Sequence, residues 1–217
     1  SVNSVKIYPG SKGISASISG STATFTITNP QNLNVEFNGN REKPLMLFAN
    51  PIDTNPPNAN TPGVLYFAGG QVHTYQGVPT YGYRLPQGLK RVYVAPGAVV
   101  KVDTPEGSAI RSYNGDNNQL VVDGGGIITT FNEQVVNMSL QNNITFKDVI
   151  LLNQTGEPHS NYGTYRPDTG SQWTFWMLGC NGATIDNVKF LGDVVSEDGL
   201  DIDGSQNVTV KNSYFSI

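Results

Sequence analysis

Asp198-Gly199-Leu200-Asp201-Ile202-Asp203 holds three carboxylates within six residues, in a chain with 17 acidic residues in all. Neighbouring carboxylates repel one another and contribute no packing, so the crowding calls for an explanation. Two kinds of chemistry use such a cluster: paired-carboxylate acid/base work and the holding of a cation. The structural alternative is a solvated strand face in which Asp-Gly marks a turn. Leu200 and Ile202 alternate with Asp201 and Asp203, so a strand here turns two apolar side chains to one face and two carboxylates to the other. Asp198 stands just before that alternation, across a glycine.

The elements that must position these carboxylates form a repeat. Asn118–Asp123, Asn143–Asp148, Gly182–Asn187 and Asn207–Asn212 share one pattern: a polar start, alternating apolar residues, and Asp or Asn at the close. Two of the offsets are 25 residues (118 to 143, 182 to 207), and the third, 39, is 25 plus an insertion of 14. Arg91–Gly97 reads as an earlier turn, 27 residues before Asn118. Strands at such a period, with no helical periodicity, predict a right-handed parallel β-helix over 64–217; a propeller would need about 40 residues per blade. Strands are expected at 120–122, 144–149, 183–190 and 207–214, stacked about 4.8 Å apart, with Asn side chains bonded from coil to coil at the turns.

Residues 1–50 read differently. Val5–Tyr8, Ile14–Ile18, Thr22–Thr28, Leu33–Phe37 and Leu45–Ala49 alternate apolar and polar residues between Gly-rich turns, as in a β-sandwich. Five short strands make a thin core, so the sandwich is expected to be incomplete. Residues 51–63, with Pro51, Pro56, Pro57 and Pro62, read as a stiff linker.

Composition narrows the function. The net charge is −4 and the pI near 5.1, with no basic stripe, which argues against nucleic acid and anionic membranes as partners. No apolar run reaches the ~20 residues of a membrane span. Cys180 is the one cysteine, so it forms no disulfide within the chain and no cysteine metal cage, and it reads as a small buried hydrophobe. Asn137, Asn143, Asn153 and Asn207 lie in N-x-S/T sequons, but the coil repeat itself generates N-x-T.

On a solenoid, residues one repeat apart become neighbours, and insertions frequently build the binding wall. The 14-residue insertion lies within 154–172 and carries His159, Tyr162, Tyr165 and Arg166, with Trp173 and Trp176 just after it. Aromatic rings and planar polar groups suit sugars, whose C–H faces stack on π faces while hydroxyls take directional hydrogen bonds. Tyr162 and Tyr165 read as substrate contacts, and Trp173 equally as contact or packing. Phe175 and Trp176 read as core. His159 reads equally as a loop hydrogen-bonder or a substrate contact, and Arg166 is the cation in this stretch.

The run Gln172–Asn181, then Ala183–Val188, Asp198–Ile202 and Asn207–Val210, resembles the β-helix glycoside hydrolases typified by polygalacturonases. Upstream, Phe48–Pro51, Val64–Phe67 and Val92–Lys101 are similar to the dextranase and isopullulanase branch, whose members carry a β-sandwich before the helix. The family signature Asn-Thr-Asp-Gly maps onto Asp198 and Gly199, with Ser196 and Glu197 in place of its first two residues. The resemblance implies an adjacent aspartate pair on the next coil, at 219 and 220 by polygalacturonase spacing or 217 and 218 by dextranase spacing. Position 217 is Ile217, so the chain is expected to stop short of that pair.

What the resemblance implies is inverting hydrolysis of an α-glycosidic bond in a galacturonan or α-glucan by a secreted protein, without a metal or other cofactor. Asp198 is a base-side catalytic residue and the general acid belongs to the missing pair. The C-terminal remainder of the protein is therefore an expected partner. Asp201 is a supporting catalytic carboxylate. Asp203 takes a mainly structural part, beside a place among the substrate contacts with His159, Tyr162, Tyr165, Arg166 and Trp173. Two rival readings stay open: a Ca²⁺-dependent polysaccharide lyase on the same scaffold, with Asp198, Asp201 and Asp203 as ligands, and a non-catalytic carbohydrate-binding β-solenoid.

Overall fold

A computed structural model describes residues 1–76, 82–103, 108–131, 134–154, 173–192 and 198–216. The chain divides into two units, Ser1–Ile52 and Asp53–Ile217. Asp53 therefore belongs with the second unit, and its carboxylate lies 3.8 Å from the Arg91 guanidinium.

In the first unit, β1 (Val5–Tyr8), β4 (Gln31–Phe37) and β5 (Asn40–Ala49) form an antiparallel sheet in the order β1-β4-β5, and β2 (Ser17–Ser19) pairs with β3 (Thr22–Thr24) as a hairpin. Ile7, Leu33 and Val35 are buried on one face of the sheet, and Ile14, Ala16, Phe25 and Ile27 pack against them. β2 and β3 are shorter than the alternation of residues 14–18 and 22–28 predicts. They pair only with each other, so residues that lack a ladder partner contribute apolar side chains to the core instead.

The second unit is a parallel β-helix. Successive coils contribute β6 (Val64–Phe67), β7 (Val72–Gln76) and β8 (Gly82–Arg84); β9 (Arg91–Val94), β10 (Val99–Asp103) and β11 (Ser108–Ser112); and β12 (Val121–Asp123), β13 (Ile127–Phe131) and β14 (Val136–Ser139). They continue with β15 (Asn142–Lys147), β16 (Ile150–Gln154) and β17 (Trp173–Leu178); β18 (Asn181–Asp186), β19 (Lys189–Gly192) and β20 (Asp198–Asp203); and β21 (Gln206–Lys211) and β22 (Tyr214–Ser216). Three parallel sheets result, in the orders β21-β18-β15-β12-β9-β6, β22-β19-β16-β13-β10-β7 and β20-β17-β14-β11-β8. The predicted strands at 183–190 and 207–214 each divide in two, because a corner at Asn187 or Asn212 turns the chain into the next sheet.

Side chains form columns that run from coil to coil. Val92, Val122, Phe146 and Ile185 fill the interior from the first sheet, Val100, Ile128, Leu151 and Phe190 from the second, and Val136 and Phe175 from the third. Phe146 and Phe175 meet across the core, their ring centres 4.6 Å apart and tilted by 60°, a contact worth about 0.5–1.5 kcal/mol beyond area burial. The corners are built from left-handed residues at repeating positions. Gln119, Asn143, Gly182 and Asn207 make one, Asp148, Asn187 and Asn212 a second, and Asn114, Leu140, Gly179 and Gly204 a third. Asn tolerates that conformation, and its amide bonds to the adjacent coil: Asn207 Nδ2 donates to Asn181 Oδ1 at 2.8 Å, Asn187 Nδ2 to Asp148 Oδ1 at 2.7 Å and Asn212 Nδ2 to Asp186 Oδ1 at 2.8 Å.

Candidate active-site face

The sheet β8-β11-β14-β17-β20 carries the acidic cluster. Phe175 and Met177 of β17 are buried and Trp176 and Leu178 are half-exposed, so the alternation of the strand sends Trp176 outward. β20 pairs with β17 in parallel register: Trp173 with Asp198, Phe175 with Leu200, Trp176 with Asp201, Met177 with Ile202 and Leu178 with Asp203. The backbones of Asp198 and Asp201 therefore sit one strand spacing, about 4.8 Å, from those of the two tryptophans.

Strict alternation would put positions 173 and 176 on opposite faces. Instead the Trp173 ring lies against Trp176, with centres 5.4 Å apart and planes 25° from parallel. Trp173 is the first residue of β17, and its side chain turns out onto the face that carries Trp176. Asp198 holds the equivalent first position of β20 and is exposed, while Asp201 is half-exposed. Asp203 lies five positions beyond Asp198, about 16 Å along an extended strand, at the opposite corner. There its backbone carbonyl accepts from the Gly179 amide at 2.8 Å and from Ser205 Oγ at 3.3 Å, while the residue itself is exposed.

Two expectations are corrected here. Trp176, read as core, faces outward in a stacked indole pair; its signal in the sequence was the 25-residue step to Asp201, a residue of the polar face. Ile202, expected to be buried with Leu200, is 42% exposed, because β20 is the outermost strand of its sheet and Met177 covers it from one side only. Leu200 does pack against the core. His159, Tyr162, Tyr165 and Arg166 lie outside the described residues, as does the rest of 155–172.

The column that ends at Asp201 continues inward along the helix through Trp176, Asn137, Arg111 and Arg84, of which sequence reasoning did not single out the two arginines. Asn137 is buried beneath this face, where its Nδ2 lies 3.4 Å from Gln134 Oε1 and Ser139 Oγ donates to its Oδ1 at 3.2 Å. Its sequon is thus inaccessible, as is that of the buried Asn153, whereas Asn143 and Asn207 are exposed. Arg111 lies over the Tyr113 ring at 4.1 Å, and Arg84 pairs with Asp116. Burial pushes the Tyr113 phenol up, opposed in part by the charges of Arg111 and Arg84. The face is cationic at one end, polar in the middle and aromatic and anionic at the other. Among the described residues no three His, Cys, Asp or Glu side chains converge to hold a metal ion.

Cys180 is buried behind this face with its thiol 3.4 Å from the Met138 carbonyl, and burial raises its pKa. That environment disfavours the thiolate a nucleophile needs.

Compared with protein-family models, with curated proteins and with solved structures, the chain finds no match.

Proposed function

We propose that the face carrying Trp173, Trp176, Asp198 and Asp201 is the substrate site of a polysaccharide-degrading glycoside hydrolase, acting with inversion on an α-glycosidic bond in a galacturonan or α-glucan. The observation that carries this reading is the register of β17 with β20, which sets a stacked indole pair beside two carboxylates on one sheet. An indole pair offers a sugar ring a flat apolar platform, and carboxylates accept hydroxyl hydrogen bonds with directional precision.

In this scheme Asp198 takes a proton from a water molecule as the water oxygen bonds to the anomeric carbon. The glycosidic C–O bond breaks on the opposite side of the ring, and the leaving oxygen receives a proton from a carboxylic acid. Inversion requires about 6.5–9.5 Å between acid and base so that the water fits between them. Asp201 holds the water or a substrate hydroxyl beside Asp198. The resemblance assigns the acid to an aspartate pair one coil further on. A polymeric substrate fits a secreted protein.

The test is Asp198→Asn in the protein as encoded, assayed for reducing ends released from polygalacturonate and dextran. Removing the base is expected to lower kcat by about 10²–10⁴ with little change in KM, because the lost interaction matters chiefly in the transition state. Unchanged turnover would remove the mechanism. An unsaturated, ultraviolet-absorbing product that disappears with a chelator would assign the face to a lyase, and bound glycan with no product to a binding protein.

A further inference from the structure

The N-terminal unit carries a cleft of its own. β4 exposes alternate residues to the side of the sheet opposite its core, and there Asn34 lies beside Tyr8 and Glu36 beside Lys6 in the register with β1. Between the pairs Val35–Leu45 and Phe37–Asn40, β4 advances two residues while β5 advances five, so Arg41–Pro44 bulges. The result is a cleft of about 290 Å³ lined by Tyr8, Asn34, Glu36, Arg41 and Pro44.

The Glu36 side chain is only 5% exposed, although it points away from the hydrophobic core, and among the described residues it pairs with Arg41 Nε at 3.7 Å. The Arg41 side chain is 79% exposed. A buried carboxylate lining a cleft together with an exposed guanidinium, an amide and an exposed tyrosine ring is a set of planar donors and acceptors around an aromatic face. Of the five lining residues one is negative and one positive, so an ion of either sign meets a like charge there, whereas a neutral polyol finds both donors and acceptors. The volume lies at the lower end of small-molecule sites and matches one pyranose ring with its substituents.

We propose that this cleft is a second, non-catalytic binding site, and that it takes a single residue of a neutral pyranoside. Linked to a second unit that engages the same polymer, even a weak site of this kind raises the effective concentration of substrate.

Amide ¹H–¹⁵N spectra of the full chain, titrated with methyl glucosides, methyl galactosides, sodium galacturonate and tetramethylammonium chloride, test it. A neutral pyranoside is expected to produce saturable shifts centred on residues 8, 34–36 and 41–44, at millimolar concentration. Arg41→Ala and Tyr8→Ala are each expected to weaken that binding at least about fivefold, since each removes one of few contacts. Arg41→Ala touches an exposed side chain, so it reports on binding even if Tyr8→Ala perturbs the fold. The Arg41→Ala protein should also keep any tryptophan-fluorescence response to oligosaccharide, because both tryptophans lie in the other unit. Shifts with the charged probes alone, shifts confined to β17 and β20, no shifts with any probe, or binding unaltered by both substitutions would each overturn the proposal.

Discussion

Asp201 and Trp176 are 25 residues apart in the chain and direct neighbours in the sheet, so the chemistry assigned to one depends on the other. The acidic cluster was legible in the sequence because three carboxylates in six residues have no packing rationale. Trp176 was not, because an outward aromatic in an apolar run looks like core until the register is known. At the same scale Lys189 stands out: it is fully buried, its Nζ donates to the Asn187 carbonyl at 2.8 Å, and burial lowers its pKa from 10.5 to about 8, opposed in part by the Asp148 carboxylate. With the folded-state pKa below the unfolded value, the unfolded chain binds this proton more tightly. The cost of burying the charge is therefore present in full below about pH 8 and is relieved as pH rises toward 10.5. Stability measured by denaturant is expected to rise across that window by an amount on the order of 1–3 kcal/mol relative to Lys189→Met, which carries no such proton. Parallel pH profiles for the two proteins would contradict the assignment.

At the scale of the element, each coil depends on corners that force a left-handed residue. The Asn-rich repeat announced them, since Asn is among the few residues that adopt this conformation readily, and the coil-to-coil amide bonds follow from that placement. Leu140 was not legible: it occupies the position held by Asn114, Gly179 and Gly204 in other coils, at φ 56°, and is 53% exposed. Its strain has no compensating burial. Leu140→Asn is therefore expected to stabilise the protein by about 0.5–1 kcal/mol, read as a rise in the thermal midpoint. The reverse case is Gly179, at φ 61°, where an added Cβ would come within 2.8 Å of Leu140 Cδ2. A lower midpoint for Leu140→Asn would mean that the leucine side chain stabilises the corner by more than its backbone costs.

At the scale of the whole molecule, the 25-residue offsets sufficed to predict a stack of parallel coils, because a strand period without helical periodicity leaves few other folds. The chain also divides into two units, Ser1–Ile52 and Asp53–Ile217, near the place where irregular short alternations give way to a fixed period. The length of the strands was not, since corners that interrupt an apolar run leave little trace in composition. Stability in such a stack is a sum over neighbouring coils, and in the 217-residue chain the strands β6–β8 at one end and β20–β22 at the other each pair on one side only. Ile202, Val210 and Phe215 are 42%, 39% and 45% exposed, whereas Met177, Ile185 and Phe190, their partners one coil inward, are fully buried. Phe215 stacks on Phe190 with ring centres 4.4 Å apart, a contact to one side only. In this 217-residue chain amide hydrogen exchange is thus expected to be faster in the end strands, β6–β8 and β20–β22, than in β12–β16. Uniform protection along the stack would show that the coils unfold as a single unit.

The central claim is that the β17–β20 face binds a glycan, and the sequence supplies its own reporter, since Trp173 and Trp176 are the only two tryptophans in the chain. Titrating the intrinsic fluorescence with oligogalacturonides and with isomalto-oligosaccharides reads this face and no other. A saturable change in intensity or emission maximum with one of the two series, weakened at least about tenfold by Asp201→Asn, is the predicted result, since a hydrogen bond to a charged group is worth about 1.5–3 kcal/mol. Fluorescence unaltered by either series at millimolar concentration, or a response that Asp201→Asn leaves untouched, would contradict it.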